Sequence, residues 1–165
     1  MPIVYSGRQR FIAVACASIA ALLATPAFAT LGGAPMTLPA GASAAGTVSR
    51  AAASTSSAMP AATYTVRTTK LVSGTVVNEY VGADGKVFGI AWQGPVFPDM
   101  PSLLGSYFPQ YVQDIENQRA KGSRGPVSVT DSTLVVHSAG HMGAFAGQAY
   151  LPQALPAGVT ASDIQ

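Results

Sequence analysis

GTVVNEYVGADGKVFGIAWQ, residues 74–93, is the stretch whose reading decides the fold. Two runs rich in β-branched and aromatic residues flank Ala83-Asp84-Gly85. That pattern predicts a β-hairpin, with Gly85 taking the left-handed position of a three-residue loop, a type I turn with a bulge. The loop then pairs Gly82 with Lys86, Tyr80 with Phe88, Asn78 with Ile90 and Val76 with Trp92. A tighter Asp84-Gly85 loop would pair Glu79 with Ile90 and Val81 with Phe88. The first register is preferred because it sets two aromatics face to face and does not require Glu79 to point inward. It places Phe88, Ile90 and Trp92 on one face. Val87, Gly89 and Ala91 form a small apolar second face, so this strand is covered on both sides or closely approached on its flat one.

Upstream, YTVRTTKLV from Tyr64 reads as a further strand. Downstream, GPVFPDMPS is a proline-punctuated crossover. LLGSYFPQYVQDI, residues 103–115, follows it. Its bulky positions are Leu103, Leu104, Tyr107, Phe108, Tyr111, Val112 and Ile115, a continuous stripe at helical spacing. Asp99 or Ser102 is placed to cap its start. Pro109 removes a backbone donor and would clash with the carbonyl of Gly105. The spacing therefore predicts one kinked amphipathic helix, or two short helices in line, reaching about Gln118. Its aromatics are expected on the sheet; the alternative is a ligand groove lined by Trp92, Tyr107 and Tyr111. Beyond the basic loop RAKGSRGP, further strands are expected near residues 127–130 or 134–138, and 144–151. The order is three strands, a helix, then two or more strands. It predicts an α+β fold: a small antiparallel sheet with the helix packed on one face.

The flanks differ in composition. MPIVYSGRQR carries Arg8 and Arg10 and no acid, FIAVACASIAALLA is apolar, and Ala27-Phe28-Ala29 supplies a small-x-small end. These are the parts of a secretory signal peptide over residues 1–29, and the apolar run is shorter than the roughly 20 residues that span a bilayer. The mature chain is thus expected to have no transmembrane segment. Cys16, the sole cysteine, lies inside this run, so disulfides and thiol chemistry are not expected after cleavage. Residues 30–63 are mostly Ala, Ser, Gly, Thr and Pro with one charge, Arg50, and no period. They read as a disordered tether. Residues 64–158 form the single expected domain, with 159–165 as a C-terminal tail.

Loss of Arg8 and Arg10 leaves seven basic and seven acidic side chains. A neutral chain lacks the field that nucleic-acid binding needs. His137 and His141 are the only histidines, separated by the turn-like Ser138-Ala139-Gly140. A metal site needs three or four ligands, so no metal and no cofactor is expected. Asp131, Ser138 and His141 are the residue types of a hydrolytic triad, but no G-x-S-x-G elbow presents the serine. No phosphate or dinucleotide loop is present in the mature chain.

The strings LVSGTVVNEYVGADGKVFGIAWQGPVFPDMPSLLGSYFPQY, LVVHSAGHMGAFAGQAYLP and LPAGV resemble domain-of-unknown-function family 2844, and ATLGGAP after the leader also fits. The resemblance implies an exported protein of a Gram-negative bacterium, periplasmic or secreted. It brings no activity and no catalytic residue. Three functions are therefore expected in order: a non-catalytic binding module for another cell-envelope protein, a small ligand-binding protein or hydrolase using His137 or His141, and a structural spacer. The contact surface expected for the first is the open sheet edge and the crossover, with Trp92, Val96, Phe97 and Met100.

Overall fold

The computed structural model of the chain describes residues 31–52, 62–122 and 125–165. The expected signal peptide, with Cys16, lies outside the described residues. Among the described residues seven strands form one antiparallel sheet: β1 (Ser43–Ala51), β2 (Thr63–Lys70), β3 (Val76–Val81), β4 (Val87–Gly94), β5 (Val127–Thr130), β6 (Val135–His141) and β7 (Ala144–Tyr150). Their order is β1-β2-β3-β4-β7-β6-β5, two meanders joined where β7 pairs with β4. Between them run α1 (Met100–Leu104), a 3₁₀ turn (Gly105–Tyr107) and α2 (Phe108–Ala120). The helical stretch breaks at Gly105, whose φ of 52° only glycine takes without strain, four residues before Pro109. The expectation of a small α+β sheet with a helix laid on it is therefore corrected. The protein is mostly β, and the helical segment is a crossover lying on a wide sheet.

The hairpin turn forms as its residues dictate: Gly82 N–H donates to the Lys86 carbonyl at 2.9 Å and Gly85 takes φ 77°. One residue further in, the preferred register fails. Val81 pairs with Val87 and Tyr80 with Gly89, so Phe88 is bulged out of the ladder and Glu79 opposes Ile90. A bulge puts two residues opposite one and reverses which residues share a face beyond it. Val87, Ile90 and Trp92 accordingly lie with the helices, and Phe88 joins Tyr64, Tyr80 and Ala91 on the opposite side. Tyr80 still meets Phe88, ring centroids 6.2 Å apart, while Glu79 points inward. β4 is buried on both faces, as its small second face implied.

The tether is also corrected over its described residues, 31–52 and 62–63; its other residues lie outside the described ones. Leu31 and Met36 are buried in the helix-side core, and an arm is pinned there. Leu31 N–H donates to the Leu103 carbonyl at 3.0 Å, Gly32 N–H to the Val87 carbonyl at 2.8 Å, and Met36 N–H to Glu79 Oε1 at 2.7 Å. β1 then adds to β2 through eight residue pairs, although all nine of its side chains are exposed. The backbone ladder alone builds it, so its sequence carries no period. The last residues are no loose tail either. Val159 and Ile164 are buried against the second face, with Ile164 over Gly89, and a capping box between Thr160 and Asp163 shapes the turn that seats them. The folded unit therefore starts before residue 64 and continues past residue 158.

Candidate functional site

The arm and helices cover one sheet face, and residues 155–165 cover the other over β2 to β4. The outer half, β7, β6 and β5, is less covered. Across it the register aligns Ala91, Gln148, His137 and Ser128, and beside them Gln93, Ala146 and Ala139. Alternation puts both rows on the face shared by Ala91 and Ile164. They line an open trough of about 490 Å³, with Ala139, Ala146 and the Gly147 backbone as floor and Gln93, Ser128, His137, Gln148 and Gln165 as rim. Every rim side chain is an uncharged hydrogen-bonding group or an imidazole. Sequence reasoning missed Gln93, Ser128 and Gln148. Only the relative register of four strands brings them together, and no local spacing signals it.

Asp131, His137, Ser138 and His141 are not brought together as one site. Asp131 Oδ1 accepts the Thr133 N–H and hydroxyl, both at 2.9 Å, at the β5–β6 turn. These bonds, the main-chain one first, hold its carboxyl below the usual range. His141 lies at the other end of β6, its Nδ1 3.1 Å from the Met142 carbonyl. Ser138 is buried on the helix side, opposite in direction to His137. His137 pairs instead with Ser128, Nδ1 to Oγ 3.1 Å, its direct cross-strand neighbour. A serine activated for attack bonds the imidazole nitrogen whose opposite nitrogen an acid orients. Here Asp131 is tied up in its turn, and among the described residues no three of His, Cys, Asp and Glu gather as metal ligands.

The β6–β7 hairpin runs past the core. Ala139 to Ala144 are all exposed, and Met142 at its tip is 92% exposed. A second trough of about 380 Å³ lies between this hairpin, Pro126, Val127 and Phe97. Phe97 stacks edge-on against Trp92 at 6.3 Å and Phe145 at 5.8 Å. Thr75 Oγ1 donates to the Val96 carbonyl at 2.6 Å and fixes the crossover in place. Val96 and Phe97 are 49% and 40% exposed. Trp92 and Met100, expected on the same surface, are buried beneath it. Of the groove residues expected, Trp92 and Tyr111 lie in the helix-side core and Tyr107 packs against it, its ring beside Gly32.

No helix among the described residues is long and apolar enough to cross a membrane. No curated protein and no solved structure matches the chain. A family model does, over residues 27–164, which takes in the arm, the sheet, the helices and the docked C-terminal residues; the chain belongs to the family described as "Protein of unknown function (DUF2844)".

Proposed function

We propose that this is an exported envelope protein of a Gram-negative bacterium, periplasmic or secreted, that acts as a non-catalytic binding module for another envelope component. The leader-like residues 1–29 support export. One observation carries the binding role: at a single end of the sheet, Val96, Phe97 and Met142 expose large apolar surface around a projecting hairpin. Exposed apolar side chains grouped beside open troughs are where protein surfaces engage partners. Phe97 is held by Trp92 and Phe145, so it is presented at low entropic cost. The test is cross-linked capture from the native host with C-terminally tagged chain, wild type against Phe97→Ala. Loss of one dominant cross-linked protein in the variant supports the reading, and an unchanged set overturns it.

A second reading, a small-ligand-binding protein, is favoured by the uncharged trough along Gln93, Ser128, His137 and Gln148. Its lining is chiefly apolar with a few hydrogen-bonding groups at the rim, which suits a largely apolar ligand that carries a few polar groups. His137→Ala would abolish binding under this reading and leave partner capture intact.

A further inference from the structure

The two outer strands of the sheet are finished differently. β5 is four residues long, and Gln118 of α2 donates to the Ser128 carbonyl on it. Shortness and cover by a helix are the usual protections of a sheet edge. β1 has neither. It is nine residues long, contains no proline, and carries one charge, Arg50. Its single irregularity, a bulge at Ala45, leaves residues 46–51 as a straight ladder on β2. Among the described residues nothing pairs with its outer edge. All nine of its side chains are exposed, so a second row of main-chain hydrogen bonds is the interaction still open to it.

We propose that β1 is a dimerisation edge, joined antiparallel to the β1 of a second copy of this chain so that the two sheets become one. Symmetry restricts how this can happen. A two-fold axis normal to the sheet keeps every residue on its own face, and directly opposed residues must share a face. The axis therefore passes midway between a residue and its own copy, so that one residue is paired with itself. Centred on Val48, it sets Val48 against Val48, Thr47 against Ser49, and Gly46 against Arg50. Val48 is 56% exposed and sits beside buried Val66 of β2, so the self-pair extends an existing apolar row. Arg50 meets a glycine, which leaves room for its side chain, and no like charges face one another. The contact is thus self-complementary in face, size and charge, which is what selects a second copy over an unrelated strand.

Opposed Cα atoms in an antiparallel pair lie about 4.5–5.5 Å apart, within disulfide range. Val48→Cys is made together with Cys16→Ser, so that position 48 carries the sole thiol. Mild oxidation should give a covalent dimer of the folded protein, while Met142→Cys in the same background, exposed at the far hairpin, should remain largely unlinked. Val48→Lys should convert the wild-type dimer to a monomer in light scattering with an unchanged circular dichroism spectrum. A wild-type protein that is monomeric at high micromolar concentration, or a position-48 thiol that links no faster than that at 142, overturns the proposal. So does a dimer that survives Val48→Lys.

Discussion

The carboxylate of Glu79 accepts the main-chain N–H of Met36 at 2.7 Å, across 43 residues of chain. Glu79 is 1% exposed and sits among Val77, Val81 and Ile90 of the helix-side core. Burial raises its carboxyl above the ordinary value, and the Met36 N–H and nearby Arg67 pull it back only in part. The native state therefore holds the proton more tightly than the unfolded chain. Glu79's contribution is fully present below the ordinary carboxylate range and is lost as pH rises through the raised native value. Glu79→Gln keeps an acceptor for Met36 and has no charge to bury. Its stability relative to wild type should rise from pH 4 to pH 8 in urea titrations; a pH-independent difference would contradict this. Glu79→Ala, which leaves the Met36 N–H unpaired, should be less stable than Glu79→Gln by about 1–3 kcal/mol.

The arm that Glu79 holds is part of the core. Leu31 is 1% exposed and packs among the helix-side residues. Leu31→Ala should destabilise the protein by about 2–5 kcal/mol, the range for emptying a buried leucine site. A fragment of residues 64–165, which lacks the arm and β1, should show no cooperative urea transition. Retention of a sharp transition would restore the view that residues 30–63 are only a tether.

The other face makes a matching case. Ile164 is fully buried and rests on Gly89 and its neighbours, so Ile164→Ala should cost about 2–5 kcal/mol by the same denaturant measurement. Thr160→Ala removes the hydroxyl half of the capping box, keeping the main-chain N–H on Asp163, and should cost about 0.5–1 kcal/mol, because the cap is exposed. The Thr160 N–H, then its hydroxyl, lowers the Asp163 carboxyl below its ordinary value. This contribution is present above the ordinary carboxylate pKa and is lost as pH falls through the depressed native one, the reverse of Glu79. Thr160→Ala should therefore have its largest effect near neutral pH and little effect in strong acid.

What could be read from residues alone follows from what holds each element. The Asp84-Gly85 turn and the stripe from Leu103 to Ile115 are local signals, and both elements are where they were expected. The bulge at Phe88 is not local. It reconciles a Tyr80–Phe88 contact with an inward Glu79, and the inward acid is tolerable because the arm brings Met36 to it. β1 was invisible because its order comes from the β2 backbone and its side chains face water on both sides. The trough is not legible in the sequence because Gln93, Gln148, His137 and Ser128 are neighbours only through three strand pairings. His141 and Asp131 looked available in sequence, but opposite ends of β6 keep them apart.

The tightest of these pairings can be tested through Trp92, the single tryptophan of the chain. Its ring lies over Gly147 of β7, where an added Cβ would be 2.7 Å from Trp92 Cε2 and 2.6 Å from the His137 carbonyl oxygen. Moving the indole relieves only its own contact, so both the indole and the β6–β7 backbone must shift. The indole has little room: Trp92 is 3% exposed and touches Phe97 on its other side. Gly147→Ala should therefore cost about 1–3 kcal/mol, the usual penalty of overpacking. The displaced ring should also become more solvated, shifting tryptophan emission to the red in the folded protein. Gly46→Ala is the control, since nothing lies within 4 Å of the added Cβ and its backbone needs no glycine. It should leave tryptophan emission unchanged. Equal emission spectra for Gly147→Ala and wild type would mean that Trp92 does not lie on β7, and the β4–β7 register that joins the two meanders would be wrong.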